Sequence, residues 1–115
     1  MATDEQPNEP PIQDLDNIDI IGVRKDGGVD LAIVASSYMD GSAEHQQLLL
    51  DKLQSYLAQL NSDEFQEEFE RPAPEKTRII VSFVVEPDPI MIALLDRAVA
   101  WVEDNNARLV YEIKK

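Results

Sequence analysis

Cysteine is absent from this chain of 115 residues, and the only histidine is His45. Four glycines are too few and too scattered to build a phosphate-binding loop. Disulfides, cysteine nucleophiles and zinc sites of the usual cysteine and histidine type are therefore excluded. Few parts remain for enzymatic chemistry, and the sequence predicts neither a metal nor a cofactor.

Positive charge is also scarce, because 10 basic residues stand against 23 acidic ones and the formal net charge is −13. Such a chain repels the phosphates of nucleic acids and the surface of anionic membranes, so neither is an expected partner. A basic protein is the partner class that this charge attracts. The alternative is that the charge only keeps a small protein soluble.

No apolar run is long enough to cross a membrane. The first 17 residues contain five acidic side chains, three prolines and no basic residue, so they resemble neither a signal peptide nor a folded element. We therefore expect a cytoplasmic protein with a disordered acidic tail over residues 1–17 and a single domain over residues 18–115.

Two apolar runs beginning near Ile18 and Val29 enclose an Asp-Gly-Gly turn, which predicts a β-hairpin. The apolar phase slips before Gly22, so a β-bulge is expected there. A helix should follow from a cap at Asp40 or Ser42 to about Leu60, because leucines recur at spacings of three and four.

An alternating β-branched strand covers residues 78–86, and Asp88 with Pro89 then begins a second helix that ends near Asp104. A last strand follows the pair Asn105 and Asn106. The order ββαβαβ predicts a two-layer α/β sandwich in which a mixed four-stranded sheet carries both helices on one face.

The hairpin segments 18–22 and 28–33 resemble a small bacterial domain family of unknown function. The first helix adds a closer similarity, the pattern His-x-x-Leu-Leu-x-x-Lys-Leu-x-x-Tyr-Leu, which begins at His45 and ends at Leu57. The resemblance covers roughly residues 17–113. It implies the ββαβαβ layout and a bacterial cytoplasmic protein, and it implies no activity.

The best candidates for chemistry are His45, Lys52 and Tyr56, whose spacing places them along one edge of the first helix. One interpretation is a polar ligand-binding or catalytic pocket, because a lysine beside a tyrosine perturbs proton affinity and histidine titrates near neutrality. The other is structural: the lysine runs along the surface to reach solvent, and the tyrosine packs its ring.

Two further surfaces are candidate interfaces. Phe65 and Phe69 lie one turn apart in an acidic segment that includes Glu67 and Glu68, which is typical of a partner-binding segment, although both rings can instead cover the core. The second helix is apolar on more than one face. Homodimerisation through this helix, at Ile92, Val99 and Trp101, or through the open sheet face would bury the surplus.

The sequence favours a non-enzymatic interaction module, of the kind that an immunity protein or inhibitor of a basic protein represents. The alternative is a small ligand-binding or enzymatic domain that uses His45, Lys52 and Tyr56.

Overall fold

The computed structural model describes residues 10–114. The strands are β1 (Ile20–Val23), β2 (Val29–Ala35), β3 (Thr77–Phe83) and β4 (Arg108–Ile113). The helices are α1 (Ala43–Leu60), the short α2 (Asp63–Glu68) and α3 (Pro89–Asp104), and a 3-10 turn at Pro74–Lys76 precedes β3. The predicted order of two strands, a helix, a strand, a helix and a strand is confirmed. The expected disorder of residues 1–9 lies outside the described residues.

The four strands form one mixed sheet in the order β1-β2-β3-β4. The first pair is antiparallel, and the two other pairs are parallel. The β1–β2 register runs without interruption from Ile20 opposite Ala32 to Val23 opposite Val29, so the bulge predicted at Gly22 is wrong. Since β1 is an edge strand with exposed side chains, the slip in apolar phase needs no change in pairing.

The turns and caps follow from local chemistry. Gly27 takes a φ of 86°, which suits the hairpin turn, and Asp26 Oδ1 accepts the Gly28 N–H. Ser42 Oγ accepts the His45 N–H at the start of α1, and Asp88 Oδ1 accepts the Ile90 N–H at the start of α3. The predicted beginnings of both main helices are therefore confirmed.

The core lies between the sheet and the two main helices, which pack on the same face of it. Strand β2 alternates strictly between buried and half-buried positions, as expected for a strand with one covered face. The buried residues at its centre come from β2, β3, α1 and α3: Leu31, Ile33, Ile79, Val81, Leu49, Leu53, Leu95 and Val102. The predicted two-layer arrangement is confirmed.

Ile12, Leu15 and Ile18 pack against this core, the first two from the segment that the sequence assigns to the acidic tail. Ile12 is only 1% exposed, and the carbonyl of Pro11 accepts the N–H of Ser36. Isolated apolar residues in a proline-rich acidic segment give no periodic signal. Their partners lie on β2 and α1, which come later in the chain.

Candidate functional site

Lys52 is a fully buried charged side chain in the middle of α1. Its Nζ lies 2.8, 2.5 and 2.8 Å from the carbonyl oxygens of Gln13, Asp14 and Asn17. It also contacts Asp19 Oδ1 at 2.9 Å. The ammonium has three N–H donors, so four acceptors saturate it. Residues 13–19 thus surround the Lys52 ammonium, which α1 places in the interior of the protein.

Tyr56 lies one turn further along α1 and extends the same network. Its hydroxyl accepts the N–H of Asp19 at 2.7 Å and donates to the carbonyl of Ala32 on β2 at 2.5 Å. The second carboxylate oxygen of Asp19 accepts the N–H of Val34 at 2.9 Å. We call Asp19, Lys52 and Tyr56 the Lys52 cluster. It ties the segment before β1 to α1 and to the edge of β2.

The electrostatics of the Lys52 cluster are those of a satisfied structural network. Burial raises the pKa of the Tyr56 hydroxyl above its usual range, against a smaller opposing effect of the hydrogen bond from Asp19. The hydroxyl therefore remains protonated and keeps donating to Ala32. Lys52 Nζ lies 5.5 Å from the centre of the Tyr56 ring, so the ring adds a cation–π contact to the four oxygen contacts.

His45 stands apart from this network at the first turn of α1. Seven residues separate it from Lys52, which corresponds to about 10 Å along the helix axis. Its Nδ1 lies 2.9 Å from both the backbone nitrogen and the Oδ1 atom of Asp40. The pKa of Asp40 is lowered, chiefly because its carboxylate accepts the Ser42 N–H. The structure thus brings Lys52 and Tyr56 together and places His45 in the helix cap.

The two phenylalanines of the predicted partner-binding segment pack inward. Phe65 is 7% exposed, Phe69 is half-buried against the core, and their ring centres are 4.6 Å apart. Ser62 Oγ accepts the Phe65 N–H and so caps the start of α2. Glu67 and Glu68 face solvent. The rings therefore fix α2 on the domain, and the acidic side chains form its outer surface.

The ends of α1 and α3 meet beside α2. Asn61 Nδ2 donates to the Asn105 carbonyl, and Asn106 Nδ2 donates to Asn61 Oδ1. Neither helix carries a basic residue in its last turn, where a cation would offset the partial negative charge of the helix end. Acidic residues are concentrated in and just after α2 and in the last turn of α3: Asp63, Glu64, Glu67, Glu68, Glu70, Glu103 and Asp104. We call this set the acidic end.

A family model covers residues 11–115 of the chain. The chain belongs to DUF6572, a family of unknown function. The expected membership of a small family without a known activity is confirmed. The family model includes the segment from Gln13 to Asp19, to which Lys52 and Tyr56 are hydrogen-bonded. No curated protein and no solved structure matches the chain.

The residues predicted for an oligomer interface lie on α3 of this DUF6572 domain. Ile92, Val99 and Trp101 are all half-buried against the core. Val99 also lines an open groove of about 280 Å³ between α3 and β4. Leu95 and Asp96 form the helix side of the groove, and Leu109 to Tyr111 form its strand side.

Sequence reasoning missed a charged row on the sheet face that points away from the helices. Arg78 on β3 donates twice to the carboxylate of Asp30 on β2, with both distances 2.8 Å, and Arg24 donates to the same carboxylate. Hydrogen bonds from Arg78 are the main cause of the lowered pKa of Asp30. Alternation in both strands is the signal that could have placed these residues on one face.

Within residues 10–114 of this DUF6572 domain, no three histidine or acidic side chains are grouped so as to hold a metal ion. None of the described helices is long and apolar enough to cross a membrane.

Proposed function

We propose that this domain is a non-enzymatic protein-interaction module that captures a basic protein in the cytoplasm. The observation that carries the proposal is the acidic end, in which seven acidic residues lie in or just after α2, which follows the end of α1, and in the last turn of α3. Glu103 and Asp104 in the last turn of α3 cost stability because they add to the negative end of the helix dipole, whereas Asp63 and Glu64 in the first turn of α2 are favourable there.

The packing of α2 supports this interpretation. Phe65 and Phe69 hold the helix rigidly on the domain, so Glu67 and Glu68 are presented without the loss of chain entropy that a flexible acidic segment would suffer on binding. A concentrated negative surface attracts a basic protein over about 8 Å at physiological salt. It also raises the rate of encounter and rejects acidic competitors.

The alternative, a ligand-binding or catalytic site built on His45, Lys52 and Tyr56, receives less support from the geometry. A general acid or base needs a polar atom that can reach a substrate. The Lys52 ammonium and the Tyr56 hydroxyl are both engaged by described protein atoms. His45 contacts Asp40 instead, about two helical turns from Lys52.

The test compares three immobilised proteins: wild type, E67Q/E68Q, and the control D16N/E86Q, which removes the same charge from exposed sites elsewhere. Each is exposed to the soluble proteome of the source cell and washed at about 0.05 M and about 0.5 M NaCl, where the screening length falls several-fold. Bound proteins are identified by mass spectrometry.

We expect one dominant protein with an isoelectric point above about 9, held by wild type and control and lost from E67Q/E68Q or at high salt. Retention of that protein by E67Q/E68Q, or equal loss from both double variants, would argue against the acidic end as the binding surface. A dominant partner that is not basic would reject the proposal.

A further inference from the structure

Strand β4 leaves one edge of the sheet unpaired among residues 10–114, because β3 is its only neighbour there. The N–H of Lys114 donates to the carbonyl of Phe83 on β3 at 2.8 Å. Even-numbered residues of β4 therefore direct their backbone groups at β3, and the intervening residues direct theirs outward. Leu109, Tyr111 and Ile113 thus offer their N–H and C=O groups to another strand.

This edge lacks several of the features that usually prevent strand addition, although it carries the charged side chains of Arg108 and Glu112. It has no proline, bulge or glycine over its six residues, and Val110 and Tyr111 are 39% and 43% exposed. Strand β1, the other edge, is shorter, with four residues including Gly22. Edge β4 is therefore the stronger site for β-sheet extension.

The charge pattern of β4 is complementary to itself. Arg108, Val110 and Glu112 lie on the sheet face that points away from the helices, beside Arg78, Ile80 and Ser82 of β3. When two such strands run antiparallel about a two-fold axis at Val110, Arg108 of each copy lies opposite Glu112 of the other. Opposite charges directly across two strands stabilise their pairing.

The backbone accepts only some registers, and charge selects one of them. Outward-facing residues of both copies must meet, so the axis passes through a residue and not between two residues. An axis at Val110 pairs Leu109 with Tyr111 of the second copy. An axis at Tyr111 instead places Arg108 opposite Lys114, which is repulsive.

The groove beside β4 fits the same arrangement. Leu109 and Tyr111 lie on the helix side of the sheet, so the second copy's strand would bring its own Tyr111 next to Leu109. That position borders the groove of about 280 Å³ lined by Leu95 and Val99. Along the strand itself Arg108 and Lys114 outnumber Glu112, while Glu103 and Asp96 lie in the pockets that border β4.

We propose that two copies of this chain associate through antiparallel β4 strands, with the two-fold axis at Val110, to form a continuous eight-stranded sheet. The proposal rests on β4 and not on the acidic end, although Arg108 shares a surface pocket with Glu103 of that end. It replaces the helix-centred interface expected from the sequence with an edge-to-edge one to which Val99 contributes from the groove.

The first test uses the absence of cysteine in the chain. V110C places two thiols in a non-hydrogen-bonded pair whose Cα atoms are about 4.5 Å apart, within the range of a disulfide. Y111C, at a site of similar exposure, places its two Cα atoms more than about 7 Å apart, beyond that range. Both variants are oxidised mildly at equal concentration, and circular dichroism checks their folding.

We expect V110C to form a disulfide dimer at least about tenfold faster than Y111C. The reverse preference would overturn the Val110 register. Equal or absent cross-linking, with wild type monomeric by analytical ultracentrifugation up to about 1 mM, would overturn the dimer. In that case a strand of another protein would be the remaining candidate occupant of the edge.

A charge-swap series provides the second test. R108E and E112R each place like charges opposite one another and should weaken association by roughly tenfold. The double variant R108E/E112R restores two opposite-charge pairs and should recover most of the wild-type affinity. A double variant as weak as the two single variants would contradict the proposed pairing, because nonspecific damage is not rescued by a second change.

Discussion

Lys52 shows how a single residue fixes the entry of the chain into the domain. Its ammonium contacts three backbone carbonyls and the carboxylate of Asp19, a side chain that is 21% exposed. A buried charge of this kind is tolerated only because every donor is engaged. The stability of segment 13–19 therefore depends on the presence of a long cationic side chain at this position.

We predict that K52M destabilises the domain by roughly 2–4 kcal/mol, because the apolar side chain leaves four acceptors without their donor. Urea unfolding followed by circular dichroism measures this loss. Q54M, an exposed change on the same helix, is the control and should cost less than about 0.5 kcal/mol. A loss below about 1 kcal/mol in K52M would mean that segment 13–19 finds water as an equivalent partner.

The sequence placed Lys52 and Tyr56 side by side but could not assign their role. Helical spacing brings two side chains of one helix together irrespective of tertiary structure. Their partners lie more than 20 residues away in the sequence, and most of them are backbone carbonyls, which carry no residue-specific signal. His45 shares the helical edge, but its local contact with Asp40 decides its position.

At the scale of elements, short-range chemistry predicted where structure begins and ends. Ser42 and Asp88 cap the two long helices as expected, and Asn106 takes the left-handed conformation, with a φ of 74°, that follows α3. The errors fall where tertiary contacts decide. Ile12 is buried by elements that lie far from it in the sequence, so the residues around it give no local signal of its burial.

Asp30 joins three elements, because it accepts hydrogen bonds from Arg24 after β1 and from Arg78 on β3. These bonds lower the pKa of Asp30 in the folded state relative to the unfolded chain. A lowered folded pKa gives stability that is present above the unfolded pKa, about 4, and is lost as the pH falls through the folded value.

We predict that D30N costs roughly 1–2 kcal/mol at pH 7, because it removes charge-assisted hydrogen bonds from a partly buried pair. The difference between D30N and wild type should shrink as the pH falls from about 5 to about 2. Urea unfolding across that range measures it, with E86Q, a change at an exposed site, as a control for the loss of one negative charge. A difference that is independent of pH would show that the contribution of Asp30 does not depend on its ionisation.

For the whole molecule, a net charge of −13 opposes the compact state. Two like charges 10 Å apart in water repel by about 0.4 kcal/mol, and the acidic end gathers seven acidic residues. Salt screens this repulsion, which stabilises the folded state. Salt also weakens the fewer favourable ion pairs, such as Arg78 with Asp30, which destabilises it. The balance of signs therefore determines how stability responds to salt.

We predict that raising NaCl from about 0.02 M to about 0.5 M stabilises the domain by roughly 1 kcal/mol, since the screening length falls from about 20 Å to about 4 Å. Urea, which is uncharged, is the denaturant for this measurement. E67Q/E68Q should gain less from salt than D16N/E86Q, because the first pair of changes removes charge from the crowded end. An equal stabilisation of both variants by salt would show that the repulsion is spread over the whole molecule and is not concentrated at the acidic end. Lower stability at high salt would show that favourable ion pairs outweigh it.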